Sequence, residues 1–186
     1  MTGSDSLERF AQLADEQSGK RNFDRPPLHL WHPELSGDIP IRIDAQGNWY
    51  HDGGLIKRES LVKLFASILR REEDGAYYLV TPVEKWRIEV ELHALVVIDV
   101  TPVDSDDTAL LRATLNTGQQ LEIGAEHTLF LEESVGGVAA ITLWHGLSAL
   151  FNRAAWLRLV DAAQESDEGL WVTSGSERYF LGATES

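Results

Sequence analysis

Ile39, Ile41 and Ile43 alternate with Pro40, Arg42 and Asp44 in the stretch IPIRID. That period of two is met by a β-strand with one buried face. AQGN then reads as a turn, and NWYH returns as the partner strand. Similar short runs recur along the chain. AYYLVTP and EKWRIEVEL read as strands joined at Pro82-Val83. ALVVIDVTP, LLRATL, QQLEIG, HTLFLEE and VAAITLW give five more, separated by Gly, Asn or Asp turns, and GLWVTSG with ERYFLG closes the chain as a hairpin.

Helical spacing is confined to three places. Residues 4 to 17 carry Leu7, Phe10, Leu13 and Ala14 on one face. KRESLVKLFASILRREEDG has Leu61, Val62, Leu64, Phe65, Ile68 and Leu69 at 3, 4 and 7 spacing, with Gly75 as its left-handed C-cap. GLSALFNRAAWLRLVDAAQ is apolar around most of its circumference and is expected to be well buried. Before the first hairpin, KRNFDRPPLHLWHPELSG holds three prolines and forms an extended arm that docks through Leu28, Leu30, Trp31 and Leu35. The fold class expected is α+β. Residues 1–24 form a helix and linker, 25–93 an α+β subdomain, and 94–186 a β-rich subdomain with one long helix.

The halves echo each other. EEDGAYYLVTPVEKWRI parallels SDEGLWVTSGSERYFLG, with an aromatic two residues after Gly75 (Tyr77) and after Gly169 (Trp171). An internal duplication of the hairpin-helix-hairpin type accounts for this, and chance similarity of a common unit is the competing explanation. Duplication would make the face between two subdomains the natural ligand groove, because pockets favour domain interfaces.

Charge narrows the partners. Sixteen basic and 30 acidic residues give a net charge of −14, which repels phosphate backbones, so no nucleic acid partner is expected. Lys57-Arg58 and Arg70-Arg71 sit beside glutamates and read as solvated helix ends. The absence of cysteine excludes disulfides and thiolate chemistry and suits a reducing compartment. MTGSDSLERFAQL lacks the basic and apolar regions of a signal peptide, and no run approaches the roughly 20 apolar residues of a membrane span. A soluble, cytoplasmic protein is expected.

No motif dictates a reaction. The six histidines form no helical pair suited to zinc, and GxSxG and SxxK are missing. Neither a metal nor a cofactor is expected. Two turns concentrate directional groups. TPVEKWR brings Thr81, Glu84, Lys85 and Arg87 around a rigid Pro82. HDGG brings His51 and Asp52 to a chain reversal, where Asp52 could also cap the helix region that follows. Surface charges bridging one another would explain the first turn equally well.

GDIPIRIDAQGNWYHDG, LVKLFASILRREEDGAYYLVTPVEKWRIEVE and the WHGL segment with its helix and final hairpin together resemble the bacterial domain-of-unknown-function 1285 family. The likeness spans roughly residues 26 to 182, and TPVEK followed by RIEVE is its most specific part. The resemblance implies an α+β protein with a duplicated core. It also implies a C-terminal part similar to pleckstrin-homology folds, a binding site between the halves, and a role in signal transduction. Some members carry a cysteine before the Gly-Asp pair as a candidate nucleophile. Here Ser36 precedes Gly37-Asp38, and a serine needs an adjacent base such as His32 or His51.

The leading expectation is a non-enzymatic binding module, a signalling adaptor or small-ligand sensor. Trp31, Ser36, Asp38, Trp49, His51 and Asp52 form one part of its site; Thr81, Glu84, Lys85 and Arg87 supply polar specificity. The ligand would be an unknown small molecule or protein. One alternative is an enzyme using Ser36 or a His/Asp pair on an acyl or phosphoryl substrate. Another is an oligomerisation scaffold, a homodimer packed through the N-terminal helix.

Overall fold

The computed structural model describes residues 7–9, 12, 26–103 and 109–183. Most of the helix expected over residues 4–17 lies outside this set, although residues 7–9 and 12 are helical. The chain divides into two compact units, Met1–Ala94 and Leu95–Ser186. It is α+β and mostly β. No helix among the described residues is long and apolar enough to cross a membrane.

The first unit holds a short 3-10 turn, Leu28–Leu30, then β1 (Leu35–Ile43), β2 (Trp49–His51) and β3 (Gly54–Leu55). Helix α1 (Glu59–Ser67) follows, then β4 (Leu69–Arg71), β5 (Tyr77–Val80) and β6 (Lys85–Val90). They form one sheet in the order β3-β2-β1-β6-β5-β4. Every neighbouring pair is antiparallel except the central one, β1 with β6. Ile39, Ile41 and Ile43 are buried as the alternation requires, and Trp49 stacks on Phe65 of α1 with ring centroids 5.9 Å apart. Leu28 of the arm is fully buried. Arg70 secures that arm by donating to the carbonyls of Leu28 (3.0 Å) and Trp31 (2.9 Å).

Three expectations need correction in this unit. The helical pattern predicted through Leu69 stops at Ser67, and Leu69–Arg71 is a strand. Ser67 Oγ donates to the Leu64 carbonyl (2.7 Å), and the Ile68 carbonyl accepts from Val80 N–H (2.9 Å), so the chain leaves the helix directly into the sheet. Gly75 is therefore no helix cap. It takes φ +79° in the turn between β4 and β5. Arg70 is not a solvated helix end either, since its side chain is only 13% exposed within the sheet.

The second unit holds β7 (Leu95–Val103), β8 (Leu110–Leu115), β9 (Gln120–Glu122), β10 (Leu129–Glu132), β11 (Val138–Thr142) and β12 (Ser148–Phe151). Helix α2 (Arg153–Asp161) and β13 (Gln164–Ser166), β14 (Gly169–Ser174) and β15 (Glu177–Gly182) complete it. Its large sheet runs β10-β11-β12-β7-β8-β9, while β13-β14-β15 form a separate antiparallel sheet. Ser174 joins the two: its buried hydroxyl accepts from Leu111 N–H (2.9 Å) and donates to the Ile123 carbonyl (2.7 Å). The long apolar helix predicted here is shorter than expected. Ser148–Phe151 is a strand, and α2 buries only Ala155 and Leu159, leaving Leu157 51% exposed.

The two six-stranded sheets share one topology. Counting strands within each unit, both follow the order 3-2-1-6-5-4, with a parallel seam between first and sixth. The chain is thus built on two similar domains, but the repeat has a different alignment from the one read in the sequence. The match of β5–β6 is β11–β12, and the β14–β15 hairpin is an addition outside the repeated sheet. Asn152 caps α2 by accepting from Ala155 N–H (2.8 Å). That places α2 after the sixth strand, whereas α1 lies between the third and fourth.

Candidate functional site

The parallel seam differs between the units. In the second, Leu95, Val96 and Val97 pair in register with Ala149, Leu150 and Phe151. In the first, Asp38 pairs with Arg87 and Arg42 with Glu89, so four steps along β1 oppose two along β6. Pro40 lies within this break. It has no N–H for the ladder and suits only such irregular positions in a sheet.

A cleft of about 280 Å³ opens there, lined by Ile39, Pro40, Ile41, Arg42, Asp52, Gly53, Arg87, Ile88 and Glu89. The HDGG turn is fastened to its edge because Asp52 N–H donates to the Pro40 carbonyl (3.0 Å). Asp52 itself takes φ +48°, a left-handed conformation that Asp tolerates better than most residues, and Gly53 follows at +78°. The turn therefore reverses the chain and also carries a carboxylate into the cleft. His51 Nε2 lies 3.6 Å from Asp52 Oδ2, buried and without a hydrogen-bond partner among the described residues.

The cleft's charged groups are held unequally. Arg42 is paired with Glu91 and lies over the Tyr50 ring at 4.6 Å. Arg87 is looser: its Nε is 3.9 Å from Asp38 Oδ1, with the two side chains 47% and 78% exposed. Its other contact is a long donation to Tyr78 Oη (3.4 Å), which favours its charged form and pushes its pKa up; the Asp38 and Asp74 carboxylates act in the same direction. Glu89 has no ion-pair partner among the described residues.

Behind Arg87 lies a more tightly paired cluster on β4, β5 and β6. Tyr78 Oη donates to Asp74 Oδ2 (2.6 Å), and that bond, with one from Ala76 N–H, holds the Asp74 carboxyl below its usual range. Lys85 Nζ donates to both Glu72 oxygens (3.2 and 3.1 Å) and sits 4.7 Å from the Tyr78 ring centre. Arg70 donates to Glu72 Oε1 (2.6 Å). Burial opposes the charge on Glu72, but the bonds from Arg70 and Lys85 outweigh it and lower its pKa.

Of the ten residues singled out in the sequence, Asp52 and Arg87 line this cleft. Asp38 and His51 touch those two. The others have structural employment. Trp49 is 1% exposed, so it belongs to the core and not to the wall of a groove. Trp31 ends the 3-10 turn, and its carbonyl receives Arg70. Ser36 Oγ accepts from Lys85 N–H (3.1 Å). Thr81 Oγ1 accepts from Glu84 N–H (3.0 Å) and shapes the TPVEK turn. Glu84 pairs with Arg9 at 2.5 Å, and Lys85 is bound to Glu72. Sequence reasoning missed Arg42 and Glu89. Their position on the polar side of alternating strands was legible, but only the slipped register brings them to the cleft.

Two family models cover most of the chain: the N-terminal domain of DUF1285 matches residues 26–92, and the C-terminal domain of DUF1285 matches residues 94–181. Among solved structures, a DUF1285 family protein from Silicibacter pomeroyi DSS-3 is similar at 33% identity. That match covers 85% of this chain and 87% of the other, with a TM-score of 0.78. A DUF1285 family protein from Shewanella baltica OS155 is similar at 28% identity, covering 66% of this chain and 91% of the other, with a TM-score of 0.54. No curated protein matches the chain. With both domain models matched in order and a relative of the same family aligned over most of its length, the chain belongs to the DUF1285 family.

Proposed function

We propose that the chain is a small-ligand binding module whose recognition site is the cleft at the β1–β6 break in its first unit. The observation that carries this reading is the contrast between two seams of one topology. The second unit's seam is continuous, while the first is opened by Pro40 and lined with charged groups, of which Arg87 is loosely held. Open polar space at the centre of a sheet sacrifices ladder hydrogen bonds and packing, and such local defects concentrate at functional positions.

Binding fits better than catalysis. Ser36, the one positional counterpart of a nucleophile, uses its hydroxyl oxygen to accept the Lys85 amide, and no histidine hydrogen-bonds to it among the described residues. Ligand occupancy that altered the β1–β6 seam would give a sensor or adaptor function.

Native mass spectrometry of full-length protein recovered gently from its host tests the reading. An excess mass of small-molecule size is expected on the wild type and is expected to be lost from Arg87→Ala, whose side chain is half exposed; circular dichroism of the variant checks that it folds. A bare wild-type chain, or equal excess mass on both proteins, would overturn it.

A further inference from the structure

We infer that the cleft's ligand is a dipolar small molecule carrying a carboxylate and an ammonium group on one short frame, an α-amino acid or a molecule built like one. This rests on the cleft being the recognition site and adds the ligand's chemical class.

The cleft holds charges of both signs. Arg42 and Arg87 enter the cleft beside Asp52 and Glu89, two cations and two anions in one small space. A simple anion would be drawn to the arginines and repelled by both carboxylates. A simple cation would meet the opposite conflict. A ligand with separated opposite charges satisfies both pairs, and in a chain of net charge −14 this local balance is itself unusual.

The second step is availability. Arg42 is already engaged by Glu91 and Tyr50, whereas Arg87's contacts with Tyr78 and Asp38 are long and half exposed, so Arg87 is the cation more readily turned toward a carboxylate. A guanidinium offers the forked donor geometry that a carboxylate takes up in two parallel bonds. Asp52 and Glu89 are the acceptors free to receive an ammonium. His51 Nε2 lies 3.6 Å from the Asp52 carboxylate without a hydrogen bond to it.

Size is the third. About 280 Å³ is room enough for a ligand of amino-acid size. Ile39, Ile41 and Ile88 lie along the cleft with their side chains buried in the core on the other face of the sheet, so the lining that meets a ligand is polar and favours a short frame.

The test is titration of the full-length protein by calorimetry with the common L-α-amino acids. The tightest binder is then compared with its N-acetyl and its carboxamide derivatives. Blocking either end is expected to weaken binding tenfold or more. In Asp52→Asn the free and N-acetylated forms should converge, and in Arg87→Gln the free and carboxamide forms should converge; Glu89→Gln gives a second route to the ammonium end. Equal binding of free and blocked forms would overturn the dipolar assignment, and so would affinities weaker than about 10 mM across the panel. If either result came while Arg87→Ala still released the native excess mass, the cleft would stand as a site for another ligand class. If the mass were also unaffected, both readings would fall.

Discussion

At the scale of single residues, Asp44 shows how side-chain chemistry overrides a pattern. Alternation puts it on the polar side of β1 with Pro40 and Arg42, yet it is 8% exposed. The strand ends at Ile43, and the carboxylate folds back to accept from Gln46 N–H (3.0 Å), Asn48 N–H (2.8 Å), Asn48 Nδ2 (3.0 Å) and Tyr50 Oη (3.1 Å). Burial works against its charge, but these bonds prevail and hold the carboxyl below its ordinary value of 3.8. Glu72 is likewise held below 4.5. Because both folded values are depressed, their stabilisation is present above those ordinary values and is lost as pH falls through the lowered ones. Asp44→Asn is therefore expected to destabilise the first unit by about 1–3 kcal/mol at neutral pH. It should also flatten the decline in stability between about pH 5 and pH 2. Urea unfolding across that range checks it, and an unchanged acid slope would refute the assignment. Trp49 teaches the converse: an aromatic beside a polar turn looked like a ligand contact but is a core residue, and one residue's neighbours in sequence do not reveal its depth.

At the scale of elements, the helices were over-read because a buried apolar residue has the same sequence signature in a helix or a strand. Ile68 and Leu69 extend the 3.6-residue spacing of α1, but both are buried in the sheet's layer, where Leu69 pairs with Leu79. The same ambiguity absorbed β12 into α2. Hairpins were more legible because their turns carry glycines at left-handed positions. Gly169 is a sharper case still. It has φ +127°, and a Cβ there would lie 2.5 Å from the Gly182 carbonyl oxygen and 3.2 Å from Ala183 Cα, so the β14–β15 pair can close only without a side chain. Gly169→Ala should cost more than about 2 kcal/mol. Gly124→Ala, at an ordinary φ with nothing within 4 Å of the new methyl, should be nearly neutral. Thermal melting of the two variants checks the contrast, and equal effects would mean that the hairpin relaxes around the added carbon.

At the scale of the whole molecule, each unit owns a six-stranded sheet, and among the described residues no sheet takes strands from both. Fragments 1–94 and 95–186, expressed separately, are expected to fold and to melt cooperatively, as followed by circular dichroism and amide dispersion. A fragment that remained unstructured would show that its sheet needs the rest of the chain. Sequence alone determined the strand-rich α+β character, most strand positions and the family, because period-two alternation and turn residues are local properties of the chain; the duplication it suggested rested on segments that the repeated sheets do not relate. Tertiary structure alone decided which strands share a seam, where the repeat begins, and that Arg42, Asp52, Arg87 and Glu89 line one cleft. Those four residues lie up to 47 positions apart (89 − 42): Arg42 on β1 and Arg87 and Glu89 on β6 are joined by a parallel pairing with a slipped register, and Asp52 stands on the turn after β2. A non-local register is set by the packing of the whole sheet, and it leaves no periodic trace in the segments it joins.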